Sequence, residues 1–202
     1  MYLRIKIVII GDEGVGKTTF ARGYFEGFFS CEYKYTTGAD YYMKEEEFFF
    51  DEFGSVKCRL DAFELAAGQQ FLDSRRVYYT RSKVAIIVFD VSRPDTFNSI
   101  SEWLKEFWTC SGGVHPFIIV GNKIDLRDTL PCLETKHGEE YAKKLSTELG
   151  FPVPYVEISA ISGGYSDRIH NALKTAIHIL LIKYIQKQHR VLGDRQKQKE
   201  ES

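Results

Sequence analysis

With 202 residues and a net charge of −1, the chain is long enough for one α/β domain with an ample core, and it carries no bulk field that favours nucleic acid or an anionic membrane. No stretch approaches the roughly 18 apolar residues of a membrane span, and the N-terminal strand lacks the small-residue cleavage site of a signal peptide. Cys31, Cys58, Cys110 and Cys132 are widely spaced without a C-x-x-C, and no H-E-x-x-H occurs; reduced thiols in a cytoplasmic protein are expected rather than a disulfide or zinc framework.

A β-branched run, Leu3 to Ile10, leads into Gly11-Asp12-Glu13-Gly14-Val15-Gly16-Lys17-Thr18. This octet fits G-x-x-x-x-G-K-[ST], the phosphate-binding loop, at every fixed position. Glycines allow the tight backbone that turns successive N–H groups toward one anion. Lys17 would reach the β and γ phosphates, the Thr18 hydroxyl would ligate Mg²⁺, and the helix opening there would add its positive end. Helix-compatible sequence from Thr19 to Glu26 completes the strand–loop–helix context that the motif requires.

An aromatic loop, Phe28 to Tyr35, precedes Thr36-Thr37-Gly38. Two strand-like runs follow, Ala39 to Phe50 and Ser55 to Phe63, joined by a hairpin turn at Asp51-Glu52-Phe53-Gly54. The run Glu45-Glu46-Glu47 reads as a solvated strand edge. A loop and short helix occupy Leu65 to Arg81, and Val84 to Asp90 is an apolar run typical of a strand buried on both faces. Ser92 to Thr109 reads as one helix with Pro94 near its start and Ile100, Trp103, Leu104 and Phe107 on one face. Pro116 to Gly121 is the next buried strand, Glu134 to Leu149 a helix stopped by Gly150, and Val153 to Ile158 a last strand. A final helix from Ser166 carries Ile169, Leu173, Ala176, Ile177, Leu180 and Tyr184 on its buried face. From about Gln186 the sequence turns to Lys, Gln, Arg and Glu and is expected to fray. The pattern predicts a three-layer α/β fold: a mostly parallel six-stranded sheet with one antiparallel edge strand and helices on both faces, with a domain over 1–185 and a polar tail over 186–202. Ligands on such sheets sit at the carboxyl ends of the strands, where each motif falls.

Asn122-Lys123-Ile124-Asp125 directly follows the Pro116–Gly121 strand. A carboxylate at Asp125 accepts two hydrogen bonds from the N1–H and 2-amino group of guanine, which adenine does not offer. At this point the chain resembles the Ras superfamily of small GTPases, and the Rab branch most closely, from about Leu3 to Tyr184. The resemblance implies the P-loop NTPase fold of a G domain. It also makes Glu13, Gly14, Val15, Gly16, Lys17, Thr18 and Thr19 the phosphate cradle and Asn122, Lys123 and Asp125 the guanine loop. Ser159-Ala160 would be the second guanine loop, with Ile161 where the family usually has lysine and an aliphatic chain packing on the base instead. Phe29 matches the aromatic beside guanine, Tyr33 the tyrosine that closes over the phosphates, and Thr36 the threonine that closes on Mg²⁺ and the γ-phosphate. Glu13 stands where Ras has glycine, close enough to repel phosphate unless it faces solvent.

The second switch departs from the family's D-T-A-G-Q. Aligning on Gly68-Gln69 keeps Gly68 as the glycine that contacts the γ-phosphate and Gln69 as the glutamine that orients the attacking water, but puts Leu65 at the position of the metal-side acid. Alternation along the preceding strand argues otherwise: Val56, Cys58, Leu60 and Ala62 share a face that Glu64 continues. The count from Glu64 to Tyr78-Tyr79 also fits without a gap, yet that register moves Ala67 to the glycine and Gly68 to the glutamine. Glu64 as the acid, with Gln69 reaching the water, is the favoured reading, and hydrolysis is expected to be slow.

The resemblance implies a Mg²⁺-dependent GTPase switch that converts GTP to GDP and phosphate. Lys17, Thr36 and Gln69 would serve catalysis, and Thr18, Thr36 and Glu64 would serve the metal. The alternative is a hydrolysis-deficient module that holds GTP or GDP as a protein-interaction scaffold. Implied partners are effectors, exchange factors and GTPase-activating proteins at the switches and at Tyr41, Phe63 and Tyr78, for which core packing is the competing explanation. No nucleic acid partner is expected, the chain is expected to be monomeric, and membrane contact is peripheral at most. Most Rab proteins end in prenylated cysteines; Arg190 to Ser202 contains none, and Met1-Tyr2 is not the usual myristoylation signal.

Overall fold

The computed structural model describes residues 1–27 and 38–200, with side chains described as far as 188. The strands are β1 (Tyr2–Ile10), β2 (Ala39–Phe50), β3 (Gly54–Leu65), β4 (Val84–Asp90), β5 (Phe117–Asn122) and β6 (Tyr155–Glu157). They form one sheet in the order β2-β3-β1-β4-β5-β6. Only the β2–β3 hairpin is antiparallel; every other neighbouring pair is parallel.

Helices cover both faces. α1 (Lys17–Ala21) runs on as a π-helical turn, Arg22–Glu26. It shares one face with α6 (Ser166–Glu200) over Ile5, Ile7, Ile9, Val56, Leu60 and Ile177. On the other face lie α2 (Leu72–Tyr79), α3 (Pro94–Asn98), α4 (Ile100–Ser111) and α5 (Thr135–Leu149), over Val8, Ile10, Ala85, Ile87 and Phe117. Strand residues therefore divide strictly by parity between two apolar layers, which is why β1 and β4 read as continuous hydrophobic runs.

Three departures from the sequence reading have local causes. The helix expected over Ser92 to Thr109 is two helices. Ser92 is drawn back onto the Asp90 carboxylate, and Arg93 is extended (φ −127°, ψ 92°), as the residue before a proline tends to be. At Ser99 ψ opens to −11° and Glu102 N–H bonds Ser99 O three residues back, which separates α3 from α4. Of the acidic run, Glu46 turns inward to accept from Tyr24 O–H at 2.8 Å and lies 3.1 Å from His170 Nδ1, because a two-residue period sends it to the face opposite Glu45. Lastly, α6 does not stop near Gln186 but continues to Glu200, and straight-chain Gln, Lys, Arg and Glu sustain a helix without an apolar face. Its buried stripe ends at Leu181; Tyr184, expected to be inside, is 62% exposed.

Gly138 marks where α5 packs on β6. A Cβ there would lie 2.1 Å from the Tyr155 ring, whose hydroxyl is tied to Glu157 at 2.6 Å. Gly138→Ala gains up to about 1 kcal/mol of helix propensity and loses about 1–3 kcal/mol to overpacking. A net loss of stability is expected in urea denaturation; an unchanged or higher midpoint would show that Tyr155 yields.

Candidate functional site

The carboxyl ends of β1, β3, β4, β5 and β6 converge on one edge of the sheet. The β1 end passes into the loop that begins at Gly11. Gly16 adopts φ 92°, and a Cβ on it would lie 2.3 Å from Asn122 Nδ2, so a side chain is excluded both by conformation and by the approach of β5. Lys17 follows as the first residue of α1 and is 7% exposed. Its ammonium donates to the carbonyls of Gly11 (2.9 Å) and Asp12 (2.8 Å). Burial pulls its pKa down from 10.5 to about 8, against the opposing pull of the Glu64, Asp12 and Glu13 carboxylates. A buried cation inside a glycine loop is suited to anionic phosphate oxygens.

Glu64 is 1% exposed at the end of β3, and Thr18 Oγ1 donates to its Oε1 at 2.5 Å while Tyr42 O–H reaches Oε2 at 3.3 Å. Leu65 is buried on the opposite face, in the layer with Val8 and Tyr79. Of the two candidates for the metal-side acid, Glu64 meets Thr18 and Leu65 does not. Burial raises the Glu64 carboxyl, although the Thr18 hydrogen bond and the Lys17 charge pull it the other way. A hydroxyl and a carboxylate, both hard oxygen donors in a site that disfavours unpaired negative charge, fit a Mg²⁺ ion. Gln69 is exposed and opens a 3₁₀ turn, Gln69–Phe71, directly after Gly68.

The base-side loops are joined by Asn122. Its Nδ2 donates to Val15 O at 2.8 Å, and its Oδ1 accepts from Ala160 N–H at 3.0 Å. Lys123 is left-handed (φ 70°) and pairs with Asp90 at 2.7 Å. Burial would raise the Asp90 carboxyl, but the hydrogen bonds from Lys123 and Ser92 outweigh it and hold it below the usual range. Asp125 accepts from Ser159 Oγ at 2.5 Å, so the two guanine-loop candidates touch. Ala160 is buried and Ile161 is 51% exposed. Behind them Arg127 forks onto Glu157 at 2.6 and 2.8 Å, bracing the turn that carries Asp125.

The structure thus gathers Gly14 to Thr19, Glu64, Asn122, Lys123, Asp125, Ser159 and Ala160 around one edge. Glu13 is exposed, and its carbonyl accepts from Arg93 Nη2 at 2.7 Å. Phe29, Tyr33 and Thr36 lie outside the described residues. Tyr41, Phe63 and Tyr78 form one aromatic row, with ring centroids 5.2 and 5.5 Å apart. Phe63 and Tyr78 pack partly on the core while Tyr41 is 49% exposed. Sequence reasoning missed Asp90, whose signal was a carboxylate closing an apolar strand. It also missed Arg75, which is buried on α2 and had no signal, because its partners lie on other elements.

The sequence matches the Ras family across residues 6–181. The Ypt/Rab-type GTPase YPT7 of Saccharomyces cerevisiae is 31% identical over 70% of this chain and 68% of its own length. The GTP-binding nuclear protein GSP1 of Encephalitozoon cuniculi is 30% identical over 83% and 80%, and the GTP-binding protein yptV5 of Volvox carteri 32% identical over 77% and 73%. Among the described residues no helix is long and apolar enough to cross a membrane. The match reaches every strand of the sheet and every loop on its carboxyl edge, and the chain belongs to the Ras family of small GTPases, close to the Rab branch.

Proposed function

We propose that this guanine-nucleotide switch binds GTP with Mg²⁺ across the loops at 13–19, 122–125 and 159–161, and hydrolyses it slowly. The observation that carries the reading is the Asn122 amide, which fastens the phosphate loop and the second guanine loop to the strand that presents Asp125. Lys17 exchanges its two carbonyl contacts for β and γ phosphate oxygens. Asp125 accepts from the guanine N1–H and 2-amino group, the Ala160 amide donates to O6, and Ile161 and Phe29 flank the ring. Thr18, Glu64 and Thr36 hold the metal, which when bound neutralises charge on the phosphate oxygens.

In hydrolysis a water oxygen bonds the γ-phosphorus as the bond to the β–γ bridging oxygen breaks. That oxygen leaves on GDP with its electron pair, and the water proton ends on the released phosphate. Gln69 and Thr36 orient the water, and Tyr33 closes over the phosphates. Gln69 lies one residue beyond the family spacing from Glu64 and sits on an exposed turn, which supports a slow step. Family membership favours turnover over a scaffold that only holds nucleotide. Regulators and effectors are the partner kinds of such a switch; the Tyr41–Phe63–Tyr78 row is their proposed contact, residues 1–185 the proposed domain, and the cytoplasm the proposed location, with at most peripheral membrane contact.

Protein stripped of nucleotide and titrated with GTP and ATP is expected to prefer GTP, and Asp125→Asn to lose about 10²-fold for GTP by leaving the purine's donors unmatched; equal affinity for both nucleotides overturns the reading. Gln69→Ala is expected to slow single-turnover hydrolysis about tenfold with GDP affinity unchanged, whereas a parental rate would remove Gln69 from the water site. Phosphate favours charged Lys17, whose pKa in the nucleotide-free site is about 8. Triphosphate affinity should therefore hold below about pH 7.5 and fall above it with growing proton uptake, read as buffer-dependent binding heat.

A further inference from the structure

Arg75 is 3% exposed, and its guanidinium is fully committed. Nη1 donates to three successive carbonyls, those of Ala66 (2.9 Å), Ala67 (3.1 Å) and Gly68 (2.8 Å). Nε and Nη2 fork onto Glu106 of α4 at 2.7 and 3.0 Å, and Tyr79 O–H donates to the same carboxylate at 2.8 Å. The guanidinium carbon lies 5.0 Å from the centre of the Trp103 ring, and Trp103 Nε1 donates to Asp12 Oδ1 of the phosphate loop at 2.7 Å.

In a planar trans peptide the carbonyl of one residue and the N–H of the next point in opposite directions. Three carbonyls drawn to Arg75 therefore turn the amides of Ala67, Gly68 and Gln69 away from it. Among the described residues no backbone carbonyl outside the helices and strands accepts from those amides. Backbone amides turned outward are donors for an anion, and this row ends at Gln69. We propose that Arg75 is the positioning residue of the second switch: it presents the amide row of 67–69 and the Gln69 side chain to the γ-phosphate. Glu106 fixes its fork, and Trp103 links it to the phosphate loop. GDP, which lacks the γ-phosphate, gains nothing from this arrangement. The proposal rests on the hydrolytic reading of the site and assigns to Arg75 a role that acts through the loop rather than by touching nucleotide.

The test uses the full chain with Trp108→Phe, which leaves Trp103 as the sole tryptophan. Arg75→Lys, Arg75→Gln and Glu106→Gln are compared for GDP affinity, affinity for a non-hydrolysable GTP analogue, single-turnover hydrolysis and Trp103 emission. Expected are GDP affinity within about twofold of the parent, analogue affinity and hydrolysis each lowered about tenfold or more, and loss of the emission difference between the GDP and analogue states. Glu106→Gln, which preserves shape, should fall between the parent and Arg75→Gln, and guards against a variant that fails to fold. Hydrolysis at the parental rate in the Arg75 variants overturns the proposal, as does a parallel fall in GDP affinity, which would mark a merely structural role. A parent that does not hydrolyse GTP would instead overturn the hydrolytic reading.

Discussion

Asn122 is the residue on which the nucleotide edge of this protein depends. A primary amide offers a donor and an acceptor on opposite sides of one planar group, and here both are used in a site 1% open to solvent. The donor fixes the loop after β1 and the acceptor fixes the turn after β6, while the residue itself ends β5. Three segments far apart in sequence thereby share one frame. An unmade bond at such a depth costs about 1–3 kcal/mol, so the arrangement is strongly preferred over any in which one loop drifts.

Around that frame the charged groups of the site are buried in compensating sets. Lys17 lies among backbone carbonyls, Asp90 takes Lys123 and Ser92, and Arg75 divides its donors between Glu106 and the second-switch backbone. Glu64 differs from Asp90 in the direction of its shift. Burial lifts its carboxyl against the Thr18 hydrogen bond and the Lys17 charge, and Tyr42 O–H reaches its other oxygen. That chemistry suits an added divalent ion, whereas Asp90 is satisfied by protein alone. The same physics thus leaves the Glu64 carboxyl raised and that of Asp90, twenty-six residues later in the chain, lowered.

Strands were legible where a two-residue or continuous apolar pattern met a hard boundary. Ala39–Phe50 and Val84–Asp90 begin and end where the sequence predicts, and α4 buries the four residues its periodicity selects. The split near Ser99 was hidden because it depends on ψ at one residue and on Ser92 turning back to Asp90. The extension of α6 was hidden because no apolar stripe demands it.

Local chemistry along the chain was enough to determine the glycine loop after β1, the Asn122–Asp125 turn after β5 and the mostly parallel sheet, since glycine conformation, motif spacing and burial patterns act over a few residues. It left the second switch divided between two registers. Pairing of β3 with β1 places Glu64 beside Thr18 and Leu65 in the opposite layer, a juxtaposition that only the folded chain supplies. Arg75 likewise acquires its meaning only in the folded state, because the carbonyls, carboxylate and indole that surround it come from a loop and a helix that no sequence period connects.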